Sequence, residues 1–414
     1  MLASLFPRVH ARYTSLPVLG GSLEGLCVWL DARGYPREAI QRRMGAAALL
    51  ARALRRRRVC SLGELTASAL RSYAPPHRTS SSPPQGALVR SLTQYLEERG
   101  ELAPTPPTPT ERQVADYRRY LERVRGLCAG TIAMHAAMIT GFLLFLDHDA
   151  RPQRLHELRA ADVEAFVTKA GRCVGRSRMG QVTATLRTFL RFLAATGAGP
   201  AGLDAQVESP RIYRGERLPR ALPWETVRAF LRSIDRTTPK GRRDYAMFLL
   251  VATYGLRASE VRALDLDDVA WRARQIRVPR PKVGTPLLLP LTDEVGAALL
   301  EYLRRGRPAS AHRRLFLRVE FPLGPLGPGA VGDAFRTWAR RAGIRLPARG
   351  GPHCIRHALA LHLLREGASL KTIGDLLGHR SAESTGVYLR LDVDDLRDVA
   401  LPLPAAAVSD EVRP

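Results

Sequence analysis

Residues 351–389, GPHCIRHALALHLLREGASLKTIGDLLGHRSAESTGVYL, hold the pattern that decides the fold and the chemistry of this chain. His353 and Arg356 lie three residues apart, so they share one face if the segment is helical. The motif LGH ends at His379, and Tyr388 follows nine residues later. A guanidinium, two imidazoles and a phenol in one segment are able to bind a phosphodiester, stabilise its developing charge and attack it.

The overall composition indicates a polyanionic partner. The 414 residues carry a formal net charge of +25 and a sequence pI near 11.0, and almost all of the positive charge comes from arginine. A charge of this size suits a nucleic acid, and an anionic membrane surface is the alternative interpretation. The length is sufficient for two or three domains, each with its own core.

Other classes of protein fit the sequence less well. The longest apolar run, residues 246–256, is shorter than the ~20 residues of a membrane helix, and the first residues lack the apolar core of a signal peptide. The five cysteines form no C-x-x-C pair, and no glutamate follows His353 as a zinc site with His357 would need. We therefore expect no disulfide framework, no metal and no cofactor, in a cytoplasmic protein that associates with the nucleoid when it acts on DNA.

Shifts in composition divide the chain into segments. Residues 75–86 and 103–110 are rich in Pro, Ser and Thr, which disfavours both helix and core. A short helical pattern, residues 87–99, lies between them. We predict an N-terminal helical domain (1–74), a linker with one short helix (75–110), a second helical domain (111–203), a basic linker (204–223), a catalytic domain (224–400) and a C-terminal tail (401–414).

The two helical domains look like copies of one another. The apolar positions after Gly34 recur after Gly126 at an offset of 92, which becomes 93 further along. This spacing indicates a duplication, although two amphipathic helical segments also match by chance. The first copy carries four consecutive arginines, Arg55 to Arg58. They either form a solvent-exposed helix end or contact phosphates.

From residue 224 onward, helical patterns surround one short β pattern. Residues 275–279 and 286–291 flank a turn and predict an antiparallel hairpin. The fold class is therefore mainly α with a small antiparallel β-sheet. Helices are predicted over residues 224–234, 242–254, 293–304, 332–342, 356–366 and 370–377.

Cleaving a DNA strand without a metal requires a nucleophile, cations that hold the phosphate and an acid for the leaving oxygen. Arginine suits the second task because its planar fork meets two oxygens at once, and a tyrosine stores the broken bond as an ester. Glu260, near Arg257, is expected to anchor a helix rather than to act as an acid catalyst. The candidate catalytic residues are Arg257, Lys282 in the hairpin turn, His353, Arg356, His379 and Tyr388.

A candidate DNA-binding surface includes residues of the helix predicted over residues 180–195 and of the segment just before it. The apolar side chains of the helix recur at helical spacing and form a core face. Arg176, Arg178, Gln181 and Arg187 lie outside that face. These four residues either contact DNA or keep the helix soluble.

This ordered set of residues resembles the tyrosine recombinase family, also called phage-type integrases. The text GLRASE (residues 255–260), a hairpin lysine, His-x-x-Arg, LGH and a tyrosine follow in the family's order between residues 110 and 400. The resemblance implies that the two arginines hold the scissile phosphate and that Lys282 protonates the leaving 5′ oxygen, assisted by His353. It also implies that His379 donates to a phosphoryl oxygen and that Tyr388 forms a 3′-phosphotyrosine link.

The resemblance further implies a site-specific recombinase, independent of metal and ATP, that integrates, excises or transposes a mobile element. Residues 111–203 resemble the family's SAM-like core-binding domain, which would close around duplex DNA with the catalytic domain. A helix over residues 393–400 would dock on a neighbouring subunit, in a tetramer on paired, specific DNA sites. Two alternatives remain: relaxation of DNA as in type IB topoisomerases, and a non-enzymatic DNA-binding regulator with a relict site. Ala358 and the first 100 residues depart from the family pattern.

Overall fold

A computed structural model describes residues 1–75, 84–211, 220–279, 286–347, 350–379 and 381–389. Over these ranges the fold is mainly α with small antiparallel sheets, which confirms the predicted fold class. The chain divides by its contacts into two compact units, one formed by residues 1–101 with 217–414 and the other by residues 102–216. Within the ranges given above, no helix combines the length and apolarity needed to cross a bilayer.

Residues 1–101 form a helical block arranged around one long helix. Leu88, Leu92 and Leu96 follow at a spacing of four and are fully buried against the surrounding helices. The helix predicted inside a linker therefore begins at Pro84 and belongs to the core of this block. The helices are α1 (Leu2–Leu5), α2 (His10–Thr14), α3 (Gly20–Asp31), α4 (Arg37–Met44), α5 (Ala47–Arg56), α6 (Ala67–Arg71) and α7 (Pro84–Arg99).

This helical block also contacts the C-terminal part of its own unit. The backbone nitrogen of Leu323 donates to the carbonyl oxygen of Arg33 at 2.9 Å, and the rings of Tyr35 and Phe321 lie 4.9 Å apart. Gly34 has a φ of 76°, and a Cβ atom there would overlap the Leu323 side chain. The close approach of the two segments therefore requires glycine at this position.

The second unit is a helical domain with an aromatic core. A capping box of Thr108 and Glu111 begins its first helix, because both side chains accept bonds from otherwise unpaired backbone N–H groups. Tyr117, Phe142 and Phe189 are fully buried between the helices. The helices are α8 (Pro109–Arg123), α9 (Ala129–Phe145), α10 (Ala160–Cys173) and α11 (Arg176–Ala195).

The C-terminal part of the first unit packs around α13, whose apolar residues are buried over almost its whole length. The predicted hairpin is present, with Ile276 opposite Leu289, and the turn that contains Lys282 lies outside the described residues. The helices are α12 (Trp224–Arg232), α13 (Pro239–Tyr254), α14 (Ala258–Ala263), α15 (Asp293–Arg305), α16 (Ala330–Arg341), α17 (His353–Arg365), α18 (Leu370–Leu377) and α19 (Ala382–Gly386). The strands are β1 (Val269–Ala270), β2 (Gln275–Val278), β3 (Leu287–Pro290), β4 (Leu317–Arg318) and β5 (Gly324–Pro325).

Two small sheets complete this part of the chain. Strands β1, β2 and β3 pair antiparallel in that order, and β4 pairs antiparallel with β5. The helices predicted between residues 224 and 377 are all present, with ends that shift by a few residues. The predicted helix over residues 393–400 lies outside the ranges that the structure describes.

Candidate active site

Arg257 is placed by the turn that follows α13. Gly255 ends that helix in the left-handed region at a φ of 64°. Arg257 is the N-cap residue of α14. Glu260 accepts a bond from the Arg257 backbone nitrogen at 2.8 Å and another from its Nη1 atom at 2.7 Å. The Arg257 side chain is 36% exposed while Glu260 is buried, so the carboxylate fixes a guanidinium that still reaches solvent.

Arg356 is buried on α17 and joins three segments of the site. Its Nη1 atom donates to the carbonyl oxygen of Gly255, and its Nη2 atom donates to that of Leu377 at 2.7 Å. A Cβ atom on Gly255 would overlap the Leu377 side chain, so only glycine allows this approach. The two carbonyl groups therefore fix the guanidinium between the end of α13 and the end of α18.

His379 is placed by the end of α18. Gly378 ends this helix in the left-handed region at a φ of 63°, which explains the glycine of the LGH motif. The Nδ1 atom of His379 lies 2.9 Å from the hydroxyl oxygen of Thr385. This hydrogen bond orients the imidazole nearly parallel to the ring of Tyr388, with the centroids 6.2 Å apart and the planes 15° apart.

Tyr388 lies in the interior of the site and is only 1% exposed. Its phenolic oxygen is 2.9 Å from the Nδ1 atom of His357. Burial raises the pKa of Tyr388, although the charges of Arg356 and Arg257 oppose that shift. The phenol is therefore protonated at neutral pH, and in this hydrogen bond it donates to a neutral imidazole.

His353 and His357, which lie on α17, are biased toward the neutral form. Burial lowers the pKa of His357 to about 4, and the positive charges of His353, Arg356 and His379 act in the same direction. Partial loss of solvent lowers the pKa of His353, and the charges of Arg356 and Arg257 lower it further. The guanidinium groups of Arg356 and Arg257 give the site a positive potential, which suits a phosphodiester.

The structure brings five of the six candidate catalytic residues into one region, and Lys282 lies outside the described residues. His357 was not among the candidates, because the sequence analysis considered it only as a metal partner of His353 and rejected that role. Its place next to Arg356 on α17 was the available signal, but the contact with Tyr388 spans 31 residues of sequence.

Among the residues with described positions, no group of three or more His, Cys, Asp or Glu side chains could hold a metal ion. The rings of His353 and His357 lie 6.5 Å apart between centroids.

The four candidate DNA-binding residues separate into two places. Arg176, Arg178 and Gln181 are exposed on the first turns of α11, where Arg178 Nη1 donates to Gln181 Oε1 at 3.2 Å. Arg187 is half-buried, and its Nε and Nη2 atoms donate to the carbonyl oxygen of Val207 at 3.0 and 2.6 Å. Arg187 thus anchors the segment after α11 and does not join the other three.

Comparisons with known proteins agree on one family. The model described as "Phage integrase family" matches residues 221–394, and "Phage integrase, N-terminal SAM-like domain" matches residues 114–197. The y4rA protein of Sinorhizobium fredii, whose name provisionally describes it as an integrase/recombinase, is 41% identical over 78% of this chain and 79% of its own length. Tyrosine recombinase XerD of Listeria monocytogenes is 30% identical over 69% of this chain and 96% of its own.

The fold also matches a solved structure. The pre-cleavage complex of the XerH site-specific recombinase bound to its difH substrate superimposes with a TM-score of 0.52 and 16% identity. The match covers 72% of this chain and 98% of that one.

Proposed function

Because the chain belongs to the phage integrase family, the tyrosine recombinases, we propose that it cleaves and rejoins DNA strands at specific sites through a tyrosine-linked intermediate. Family membership makes it a DNA strand-transferring enzyme. The observation that carries the finer proposal is the position of Tyr388. Its phenol is hydrogen-bonded to a neutral imidazole, within the electrostatic influence of both Arg257 and Arg356.

The cleavage step follows from these positions. The phenolic oxygen of Tyr388 forms a bond to phosphorus while its proton passes to the Nδ1 atom of His357. The bond from phosphorus to the 5′ oxygen breaks, and that oxygen takes a proton from Lys282, assisted by His353. The products are a 3′-phosphotyrosine ester and a free 5′-hydroxyl. One bond to phosphorus forms as another breaks, so the reaction consumes no oxidant, metal or nucleotide.

The remaining residues stabilise the charge that grows on the non-bridging oxygens. Arg257 offers a half-exposed guanidinium, and Arg356 and His379 line the inner side of the site. Fixed cations in a partly desolvated site stabilise such charge without reorganising during the reaction. Reversal of the step by the 5′-hydroxyl of another strand completes the exchange.

The tyrosine reacts only once a phosphate can reach its buried phenol. With 1% exposure, the Tyr388 phenol is shielded from a phosphate on the surface. The step above therefore needs a local displacement of the segment that carries α19 and Tyr388, small enough for the phenol to keep its hydrogen bond to His357. Docking of the scissile phosphate between the two arginines favours this displacement, because the phosphate attracts the same cations that surround the phenol.

The partner under this proposal is duplex DNA that carries specific sites, bound by a tetramer that pairs two of them. The exposed Arg176, Arg178 and Gln181 on α11 are proposed contacts to that DNA. The greater identity to an integrase/recombinase than to XerD supports movement of a mobile element as the biological role. Such an enzyme acts on the nucleoid in the cytoplasm.

The direct test is covalent trapping on a nicked suicide substrate built from the DNA that flanks the gene. The native chain should form a protein–DNA adduct in the presence of a chelator, whereas Tyr388→Phe should bind the same DNA and form none. An adduct that survives this substitution would refute the assignment of the nucleophile. A two-site recombination assay beside a plasmid relaxation assay separates the proposed recombinase from a topoisomerase.

A further inference from the structure

The helical block and the second unit share a plan that extends beyond their apolar spacing. Helices α4 and α9 begin 92 residues apart, at Arg37 and Ala129, and α7 and α11 also begin 92 residues apart. Gly34 lies between α3 and α4, Gly126 lies between the corresponding helices α8 and α9, and both glycines have a positive φ. These coincidences of helix ends and backbone conformation support the duplication, so the copies are comparable position by position.

Helix α9 spans the positions that α4 and α5 occupy in the first copy, and the copies carry opposite charge where α9 and α5 end. In the second unit, the turn after α9 contains Asp147, His148 and Asp149. Asp149 has a structural contact within its own unit, because its Oδ1 atom accepts a hydrogen bond from the backbone nitrogen of Thr110 at 2.8 Å. The corresponding end of α5 contains Arg55 to Arg58. Four arginines here are therefore not a requirement of the shared fold.

These arginines are exposed, and no carboxylate in the described part of the chain is paired with them. Together with Arg52, one turn earlier on α5, they form what we call the arginine cluster: Arg52, Arg55, Arg56, Arg57 and Arg58. Among the described residues no Asp or Glu lies within ion-pair distance of them, whereas Arg33, Arg71 and Arg99 of the same block are each paired with a glutamate. Clustering unpaired arginines costs repulsion, which an anion would relieve.

One member of the arginine cluster is already held in place. The guanidinium of Arg57 lies over the ring of Tyr73 at 4.8 Å from its centroid. A guanidinium that stacks on a ring through its face keeps the N–H donors of its edge for other partners. That geometry suits two-point hydrogen bonding to a phosphate.

We propose that the arginine cluster binds the phosphate backbone of duplex DNA at a place other than the cleaved phosphate. Consecutive arginines match the dense row of charges on a duplex, and they read no sequence. A membrane-surface helix would need an exposed apolar face, but α5 buries Leu50 and Leu54 and exposes Leu49 alone among its large apolar residues. The cluster therefore gives the enzyme a second DNA contact in its N-terminal helical block.

The test compares two full-length variants that lose equal charge. In the first, Arg55, Arg56, Arg57 and Arg58 are changed to Gln. In the matched control, four exposed arginines outside the cluster are changed to Gln: Arg8, Arg12, Arg304 and Arg305. The probe is a fluorescein-labelled duplex of random sequence, and binding is measured by anisotropy over a range of salt concentrations.

The first variant should bind the duplex roughly ten-fold or more weakly, with a salt dependence whose slope falls by about 0.9 for each phosphate that the variant no longer neutralises. The control variant should stay close to the native chain. Equal losses in both variants, or no loss in either, would overturn the proposal. Loss of binding to phosphatidylserine vesicles with unchanged DNA binding would overturn it in favour of a membrane contact.

The neighbouring thiol provides a positional test. Cys60 is exposed two residues after the arginine cluster, and Cys128 and Cys173 are the other exposed cysteines. With those two changed to Ser, an iron chelate attached to Cys60 should cut the duplex on addition of ascorbate and peroxide. Neutralising Arg55 to Arg58 should remove this scission, and equal scission without the arginines would contradict the proposal. Neither experiment depends on Tyr388, so a failure here is distinct from a failure of the proposed reaction.

Discussion

The Nδ1 atom of His357 lies 2.9 Å from the phenolic oxygen of Tyr388, although the two residues are 31 positions apart in sequence. The pKa of His357 is lowered to about 4 and the pKa of Tyr388 is raised, both chiefly by burial. The imidazole therefore accepts the hydrogen bond, and the phenol keeps its proton until it attacks. This pairing gives the tyrosine its nearest described route for losing that proton.

Replacing His357 by Ala should slow covalent adduct formation by about 10²–10⁴, the usual contribution of a positioned general base. Binding of DNA should remain, because His357 is partly buried, contacts Tyr388 and carries no charge at neutral pH. The measurement is single-turnover formation of the adduct on a suicide substrate.

A sulfur atom in place of the bridging 5′ oxygen distinguishes this role from acid catalysis. A thiolate leaves without a proton, so such a substrate should restore cleavage by Lys282→Ala, the matched control. It should leave His357→Ala slow, since the phenol must still lose its proton. Rescue of both variants would show that His357 does not serve the nucleophile.

The two arginines should differ in their effect on stability. Arg356 is buried and bonds the carbonyl groups of Gly255 and Leu377, so Arg356→Ala leaves both groups unsatisfied. We expect a loss of about 2–4 kcal/mol in the free energy of unfolding, together with loss of cleavage. Arg257→Ala removes a guanidinium that is 36% exposed, and the buried Glu260 keeps its bond from the backbone nitrogen of residue 257. We therefore expect a smaller loss of about 1 kcal/mol, together with loss of cleavage.

Urea unfolding followed by tryptophan fluorescence measures this difference. All four tryptophans, Trp29, Trp224, Trp271 and Trp338, belong to the unit that contains the site. The fluorescence change therefore reports that unit without a direct signal from residues 102–216. Equal destabilisation by the two substitutions would contradict the separate roles that the hydrogen bonds indicate.

The glycine of the GLR motif should be intolerant of alanine for two separable reasons. Gly255→Ala places a Cβ atom at a φ of 64° and into the side chain of Leu377. Gly343→Ala is the matched control, because its φ is 67° and no atom lies within 4 Å of the added carbon. The control should cost roughly 1–2 kcal/mol from backbone strain alone, and Gly255→Ala should cost more.

The excess cost should come from the overlap. Adding Leu377→Ala to Gly255→Ala should recover part of it in the double-mutant cycle, since the shorter side chain leaves room for the new carbon. Unfolding free energies of the two single variants and the double variant provide the coupling. If the two glycine substitutions lower the unfolding free energy equally, the close approach of Leu377 to Gly255 contributes nothing to the loss.

The sequence predicted the parts of the site that lie close to each other in the chain. Gly255, Arg356 and His379 were recognisable because short motifs encode local backbone geometry, and the structure explains each by a helix end or a buried bond. The pairing of His357 with Tyr388 was not predictable in this way. It depends on how α17 and the segment after α18 pack, and no local spacing specifies that packing.

The fold was predictable to a similar extent. Periodicity located the helices and the hairpin between residues 224 and 377, because each buries one regular face. Proline and serine on both sides of residues 87–99 suggested a linker, but Leu88, Leu92 and Leu96 make that helix the centre of the N-terminal block. Arg187 was likewise a candidate DNA contact because it is a cation outside the apolar face of its helix. In the structure its guanidinium donates to the carbonyl oxygen of Val207.

Acidification should destabilise the unit that contains the site, in part through His357. Its pKa in the folded chain is about 4, below its ordinary value of 6.5, so between these pH values the unfolded chain binds a proton that the folded chain does not. Stability rises with pH wherever the unfolded state binds more protons, and it therefore falls as the pH drops from 6.5 toward 4. For this partly buried group we expect a contribution of about 1–3 kcal/mol.

The measurement is the unfolding free energy by tryptophan fluorescence at a series of pH values for the native chain and His357→Gln. Glutamine retains a hydrogen-bonding group near Tyr388 but does not titrate, so the variant should lose less stability than the native chain across this window. His10→Gln, a substitution at an exposed histidine of the same unit, is the control and should leave the slope of the native chain unchanged. Parallel curves for the native chain and His357→Gln would mean that His357 titrates alike in the folded and unfolded chain. Its imidazole would then lack the buried, neutral state on which its role as the proton acceptor of Tyr388 depends.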